Sequence, residues 1–141
     1  MPALQKFNAF VEHLAEGVHN LQTGALKVAL TNTAPTAANT VLADITQISA
    51  GNGYVAGGSA ITMTSSSQTS GTYRLILADL VFTASGGSIG PFRYAVLYND
   101  TPTSPADPLI GWLDYGSSIT LADGETFTLD CDPVNGVLSL A

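Results

Sequence analysis

Positive charge is scarce in this chain of 141 residues. Four lysine and arginine residues stand against eleven aspartate and glutamate residues, which gives a formal net charge of -7. The four basic residues are scattered along the chain and form no stripe: Lys6, Lys27, Arg74 and Arg93. Proteins that bind nucleic acids through the phosphates concentrate basic residues on one surface. We therefore expect no nucleic-acid partner.

Cysteine and long hydrophobic runs are also nearly absent. The single cysteine, Cys131, excludes an intrachain disulfide framework and fits assembly in a reducing compartment. Polar residues from Glu12 to His19 interrupt the apolar residues near the N-terminus, so this segment does not resemble a signal peptide. No run approaches the roughly 18 apolar residues of a membrane span. We expect a soluble protein with no membrane partner.

The N-terminal segment has the apolar spacing of a helix. Its apolar residues recur every three or four positions: Leu4, Phe7, Phe10, Val11, Leu14, Val18 and Leu21. We predict a helix from about Pro2 to Gly17, because proline suits the first turn and glycine favours termination. Residues 1–23 then form an N-terminal helix or arm. Its apolar seam packs on the protein's own sheet or on a neighbouring subunit.

The remainder, residues 24–141, has the pattern of one β-sandwich domain. Leu26–Leu30 alternates between apolar and other residues, and residues 32–59 predict a long loop rich in breakers. Further strands are predicted at Ala60–Thr64, Tyr73–Thr83, Phe92–Tyr98, Leu109–Tyr115, Ile119–Leu121, Thr126–Cys131 and Val137–Leu140. Turns separate nearly all of them, including Ser65–Gly71. The predicted fold is all-β, an antiparallel β-sandwich that is jelly-roll-like, with one N-terminal amphipathic α-helix.

The segment Tyr73–Phe82 is apolar at both odd and even positions. A strand of this kind is covered on both faces. A sandwich strand usually keeps one face in water, so we expect the helix or another subunit to cover the second face. This is the first indication of a homo-oligomer, a dimer or a trimer.

No motif for catalysis or for a cofactor stands out. His13 and His19 are six residues apart, a spacing that matches no zinc motif and places them on different helix faces, toward solvent or an interface. The serines lie outside any Gly-x-Ser-x-Gly turn. The glycine clusters at 51–58 and 86–90 lack the features of a phosphate loop and predict turns. We expect a protein that is not an enzyme and that has no cofactor.

Four carboxylates lie within ten positions near the C-terminus: Asp123, Glu125, Asp130 and Asp132. Oxygen-rich clusters of this kind can hold Ca²⁺, although the spacing is not that of an EF-hand loop. Asp130 and Asp132 share one face of a predicted strand, where their charges repel unless they are screened. The pattern favours a solvated acidic rim, with calcium binding as the alternative.

Aromatic residues recur on two predicted strands. Phe92, Tyr94 and Tyr98 alternate on one, and Trp112 and Tyr115 lie on the next. Paired across a sheet, they form an aromatic face. Such a face fills a core or contacts a carbohydrate or a protein.

Strand-and-turn motifs along most of the chain resemble those of small virion structural proteins of tailed bacteriophages. They are VLYNDT (96–101), LIGWLDYG (109–116), TLADGETFTLD (120–130) and GVL (136–138), with KFNAF (6–10), GVHNL (17–21) and KVALTN (27–32) before them. The resemblance is to capsid decoration, or cement, proteins with jelly-roll cores. Members of this family sit on the outside of the capsid and tie neighbouring major capsid subunits together. The position of Cys131 departs from the apolar or aromatic residue expected there.

The resemblance implies a homo-oligomeric cement protein that is assembled in the host cytoplasm and binds the phage major capsid protein on the virion exterior. We expect the helix and the 32–59 segment to contact the capsid or sister subunits. The side chains predicted to bind partners are Phe7, Phe10, Val11, Leu14, Tyr54, Tyr98 and Trp112. The alternative is a tail, neck or fibre component that uses its aromatic and loop surface to bind a host glycan or another virion protein.

Overall fold

Antiparallel strands account for most of the regular structure in the computed structural model, which describes residues 1–141. The elements are β1 Gln5–Lys6, α1 Asn8–Ala15, β2 Leu26–Thr31, a 3-10 turn Leu42–Asp44, β3 Ser59–Ala60, β4 Met63–Thr69, β5 Thr72–Leu77, β6 Leu80–Thr83, β7 Ile89–Asn99, β8 Leu109–Leu121, β9 Thr126–Leu129 and β10 Leu138–Leu140. The predicted all-β antiparallel sandwich with one N-terminal helix is confirmed.

The strands form one large sheet and two smaller ones. The large sheet has the order β1-β8-β7-β2-β3, and the others have the orders β10-β5-β4 and β6-β9. A core of 20 buried residues lies between the large sheet and the smaller ones, with contributions from β2, β7 and β8 on one side and β5, β6 and β9 on the other. The large sheet therefore uses one face for the main core.

The N-terminal helix is shorter than the apolar spacing predicts. It begins at Asn8, not near Pro2, because Gln5 and Lys6 pair with β8 as an edge strand. Gly17 ends the helical region with a φ of 77°. Phe10 reaches the main core, so residues 1–23 are packed against the sandwich through both β1 and α1.

The prediction of one strand over Tyr73–Thr83 is wrong. The segment forms β5 and β6, which belong to different sheets. Ala78 and Asp79 lie between the two strands and belong to neither. This break shifts the alternation by one residue, so Leu75 on β5 and Phe82 on β6 are both buried. Within the chain the second face is only partly covered, since Leu80 is partly buried and Val81 is 51% exposed.

The prediction of a turn over Ser65–Gly71 is also wrong. Most of this segment belongs to β4, and the turn itself consists of Ser70 and Gly71, with φ values of 51° and 82°. The run of hydroxyl side chains hides the strand, because no apolar alternation marks it. Farther along, the two strands predicted over Leu109–Tyr115 and Ile119–Leu121 are the single strand β8.

β7 is covered on both faces and is buried continuously from Tyr94 to Asn99. Register shifts in its pairing with β8 place Phe92 in the main core and Tyr94 in a second cluster on the opposite face. Trp112 and Tyr115 also lie on opposite faces, because side chains three positions apart on a strand point in opposite directions. The single aromatic face predicted from alternation is therefore wrong.

Candidate functional site

A second hydrophobic cluster lies on the outer face of the large sheet. We call it the outer cluster, and its nine buried residues are Phe7, Ala29, Leu42, Ile45, Tyr94, Val96, Tyr98, Leu109 and Trp112. Leu42 and Ile45 come from residues 32–58, the segment that links β2 to β3 and that we call the covering segment. Around Leu42 and Ile45 it lies over the large sheet and buries side chains that would otherwise face solvent, and farther along Tyr54 enters the main core.

Backbone hydrogen bonds attach the covering segment to the chain around it. The N–H of Leu42 donates to the carbonyl of Asp107 at 3.0 Å, and the N–H of Leu109 donates to the carbonyl of Thr40 at 3.0 Å. Asp44 accepts from the N–H groups of Thr40 and Val41 at 2.9 and 3.3 Å, and these bonds lower the pKa of its carboxyl. The predicted loop is therefore an ordered part of the fold.

Two tyrosine hydroxyls hold the C-terminal half of the covering segment. Tyr54 accepts from the N–H of Leu30 at 3.1 Å and donates to Oε1 of Gln47 at 2.8 Å. The hydroxyl of Tyr98 donates to the carbonyl of Gly57 at 2.6 Å. Burial raises the pKa of both phenols, so they stay protonated and keep these bonds.

Gly58 marks the closest approach between the covering segment and the sheet. Its φ is 77°, a conformation that other residues rarely adopt. A Cβ atom at this position would collide with the carbonyl oxygen of Val28 on β2. Only glycine allows this backbone to lie so near the sheet.

The N-terminal segment adjoins the covering segment. The ring of Phe7 packs against Trp112, with centroids 4.7 Å apart, and the N–H of Asn8 donates to the carbonyl of Ala37 at 2.9 Å. α1 therefore begins at the margin of the covering segment. The two elements adjoin at this point, and we call their exposed surface the contact face.

Five of the seven residues predicted to bind partners are buried in the protein's own cores. They are Phe7, Phe10, Tyr54, Tyr98 and Trp112. Their side chains are occupied by intrachain packing and are not exposed to a partner in this structure. Leu14 is partly buried, and Val11 is 52% exposed.

Sequence reasoning missed Val55 as a candidate contact residue. Its side chain is 62% exposed on the covering segment, next to the buried Tyr54. An isolated valine in a breaker-rich segment carries no periodic signal. Its exposure is visible only once the direction of the segment over the sheet is known.

The histidines are placed differently from the prediction. The backbone N–H groups of Val18 and His19 both return to the carbonyl of His13, at 2.9 and 3.4 Å. The chain thus turns back after Gly17 and brings the two imidazole rings to 6.1 Å from each other. His19 is only 5% exposed and does not face solvent, and the prediction that the two histidines lie on different faces is wrong.

The environment of His19 favours its neutral form. Oδ1 of Asn99 accepts from the N–H of Thr101 at 3.1 Å, so the Asn99 amide nitrogen faces His19 and donates to Nδ1 at 3.3 Å. Nε2 of His19 is buried without a partner. Burial, with a smaller contribution from His13, lowers the pKa of His19 to about 4.

The C-terminal acids are engaged in turns. Asp123 accepts from the N–H of Gly86 at 2.9 Å, and Glu125 accepts from the N–H of Ala122 at 2.7 Å. Asp132 accepts from two backbone N–H groups of the following turn, which lower the pKa of its carboxyl. No three His, Cys, Asp or Glu side chains gather at metal-binding distance, so the geometry does not support the calcium alternative.

Cys131 is a buried side chain of the main core. Its backbone N–H donates to Oδ1 of Asp79 at 2.8 Å, at the break between β5 and β6. Burial, followed by the nearby carboxylates of Asp79 and Asp130, raises the pKa of its thiol to about 11. A thiol in this state is a packing group, not a nucleophile.

The protein has no helix that is long and apolar enough to cross a membrane. Comparison with protein-family models, with curated proteins and with solved structures found no match.

Proposed function

We propose that this chain is a non-enzymatic decoration, or cement, protein of a tailed bacteriophage. In this proposal it binds the major capsid protein on the outside of the head and stabilises contacts between capsid subunits. It is assembled in the host cytoplasm as a homo-oligomer. The sequence motifs given above support the family, and the contact face supports the mode of binding.

The observation that carries the proposal is the fixed geometry of the contact face. α1 and the covering segment, the two regions expected to reach the capsid, adjoin through the hydrogen bond from Asn8 to Ala37. The tyrosine bonds hold the covering segment in place before any partner arrives. A preformed surface loses little conformational entropy on binding, so modest contacts suffice for attachment.

Mass action then gives the proposed mechanism. A protein that binds the assembled shell but not dissociated subunits stabilises the shell, by about 2.7 kcal/mol per site at a concentration one hundred times its dissociation constant. An oligomer that bridges several capsid subunits gains further strength from effective concentration. The shell would resist internal DNA pressure through many such sites.

The structure offers no specific support for the glycan-binding alternative. That interpretation depends on an exposed aromatic face, and Trp112, Tyr94 and Tyr98 are buried beneath the covering segment. Stacking on a sugar ring requires an accessible aromatic face. We therefore do not propose that the chain binds a host glycan.

Two substitutions on the contact face test the proposal. In Val11→Glu and Val55→Glu, a carboxylate replaces an exposed apolar side chain, with 52% and 62% exposure respectively. Val81→Glu is the matched control, because Val81 is 51% exposed on β6, outside both α1 and the covering segment. Burial of a charge at an apolar contact should weaken binding by about tenfold or more.

The assay is co-sedimentation of each purified variant with heads from the same source that have been stripped of the protein. We expect Val11→Glu or Val55→Glu to bind at least about tenfold more weakly, while Val81→Glu binds as the wild type does. Wild-type affinity in both contact-face variants would refute the proposed mode of binding. Failure of the unaltered protein to bind heads would refute the function itself.

Deletion of residues 1–21 is not a suitable test. Phe10 and Leu21 belong to the main core, and Phe7 belongs to the outer cluster. Removal of three core side chains would destabilise the fold by several kcal/mol. A loss of attachment after this deletion would not distinguish unfolding from a lost contact.

A further inference from the structure

β4 is a long, open edge of the sheet β10-β5-β4. Six of its seven residues pair with β5, and none pairs with a strand on the other side. Both edge strands of the large sheet are much shorter, with two residues each in β1 and β3. Natural proteins usually protect a long edge with charge, proline or a cover, because an open edge is a template for another strand.

Nothing in the sequence of β4 provides that protection. Residues 63–69 contain no charged residue and no proline, and five of the seven are serine or threonine. The one irregularity in pairing lies near the beginning of the strand, between Met63 and Ser65. The stretch from Ser65 to Thr69 is therefore regular, uncharged and open along one side.

The hairpin geometry identifies the backbone groups that face outward. Ser70 and Gly71 form a two-residue turn with positive φ values, and Thr69 is opposite Thr72. In a hairpin of this kind the residues that flank the turn exchange both hydrogen bonds, and the bonding direction alternates along the strand. The N–H and C=O groups of Ser66 and Gln68 thus point away from β5, toward the open edge.

The partner that best suits this open edge is the β4 strand of a second copy of the same chain. The protein has a net charge of -7, so association of two copies requires a surface that brings no acidic groups together. β4 meets this requirement, since its side chains are hydroxyl, amide and thioether groups. An edge strand is also self-complementary in the antiparallel direction, because its outward donors and acceptors pair with the same groups of a copy.

We propose that two copies pair through β4, antiparallel, about a two-fold axis at Ser67. Ser66 of each copy then exchanges backbone hydrogen bonds with Gln68 of the second copy, and the two three-stranded sheets join into one of six strands. Ser67 faces its own equivalent in a pair without hydrogen bonds. Such pairs have Cα atoms about 4.5 Å apart.

This pairing rests on the homo-oligomer of the proposed function and specifies its interface, but it is a property of the purified chain and is measured without a capsid. It also replaces the earlier indication of an oligomer. That indication came from a covered face on Tyr73–Phe82, whereas the structure provides an open edge on the neighbouring strand β4. Failure of self-pairing would leave attachment to heads untouched, since the contact face uses other residues.

A disulfide test addresses the pairing directly. The Cα separation at Ser67 is within the range that a disulfide spans, so Ser67→Cys should form a covalent dimer on mild oxidation. Ser139→Cys is the control, because Ser139 is an exposed residue on the opposite edge of the same sheet. The native thiol of Cys131 is buried and does not compete.

Charge substitution provides the second test. Ser67→Lys and Ser67→Glu each place like charges opposite one another, so each variant alone should dimerise at least about threefold more weakly. An equimolar mixture of the two variants should restore dimerisation, and Ser139→Lys should behave as the wild type does. Light scattering after size exclusion, with circular dichroism to confirm folding, measures these masses against the 14.5 kDa chain.

We expect a dimer for the wild type and cross-linking of Ser67→Cys but not of Ser139→Cys. We also expect the mixture of Ser67→Lys and Ser67→Glu to dimerise more strongly than either variant alone. A wild-type monomer at all concentrations would overturn the proposal. So would equal cross-linking rates for Ser67→Cys and Ser139→Cys, or wild-type dimerisation in both Ser67→Lys and Ser67→Glu.

Discussion

Mild acidification should destabilise the protein through His19. The folded chain holds this ring in a buried site where Asn99 donates to Nδ1 and Nε2 has no partner. The pKa of His19 is lowered to about 4, mainly by burial and then by His13. An unfolded histidine has a pKa of about 6.5. Between these two values the unfolded chain takes up a proton that the folded chain does not.

The sign and size of the effect follow from this difference. The pKa of His19 is lower in the folded chain than in the unfolded chain. Its contribution to the free energy of unfolding is therefore complete above about pH 6.5 and falls as the pH drops toward 4. The free energy of unfolding should decrease by about 2.5 kcal/mol between pH 7.5 and pH 4.5. Carboxylates with a lowered pKa, such as those of Asp44 and Asp132, also stabilise the folded chain. Their stabilising effect is lost mainly below about pH 4, outside the range used for His19.

Urea denaturation followed by Trp112 fluorescence at several pH values measures this change. His19→Gln should remove most of the dependence between pH 7.5 and pH 4.5, whatever its effect on absolute stability. His13→Gln should retain most of it, because burial is the larger cause of the shift at His19. A flat wild-type profile, or an equal slope in His19→Gln, would refute this reasoning.

Three further substitutions or reactions test the packing. Gly58→Ala should lower the thermal midpoint much more than Gly116→Ala, because both glycines have positive φ but only Gly58 faces a neighbouring backbone carbonyl; equal shifts would contradict the close approach. Tyr98→Phe should cost about 1 kcal/mol and speed amide exchange in residues 47–58, and unchanged exchange would show that the hydroxyl does not hold this segment. The thiol of Cys131 should react with a thiol reagent only at the rate of unfolding, since it is buried and its pKa is raised to about 11; rapid reaction of the folded protein would contradict this.

The sequence predicts the central strands well because their signals are local. The alternation at Leu26–Leu30 and the apolar run within β7 identify β2 and β7. Residue order alone does not reveal the register shifts between β7 and β8, which place Phe92 and Tyr94 on opposite faces. Alternation therefore predicts one aromatic face, whereas in the structure these aromatic side chains lie on both faces of the sheet.

The candidate site is harder to predict because it depends on long-range contacts. The covering segment has few apolar anchors, and Tyr54 is buried through hydrogen bonds of its hydroxyl to groups elsewhere in the chain. The chain turns back at Gly17, so His19 is not part of the helix that contains His13. The six-residue spacing of the two histidines therefore does not predict how close their side chains lie. The open edge of β4 depends on which strands fail to pair, a property of the whole sheet.

Imaging of the labelled protein on intact particles from the same source tests the proposed function most directly. A label raised against the purified chain should cover the head densely, because a cement protein occupies repeated sites on the outer surface of the shell. Labelling confined to the tail, or absent from the particles, would contradict the proposal that this chain decorates the capsid.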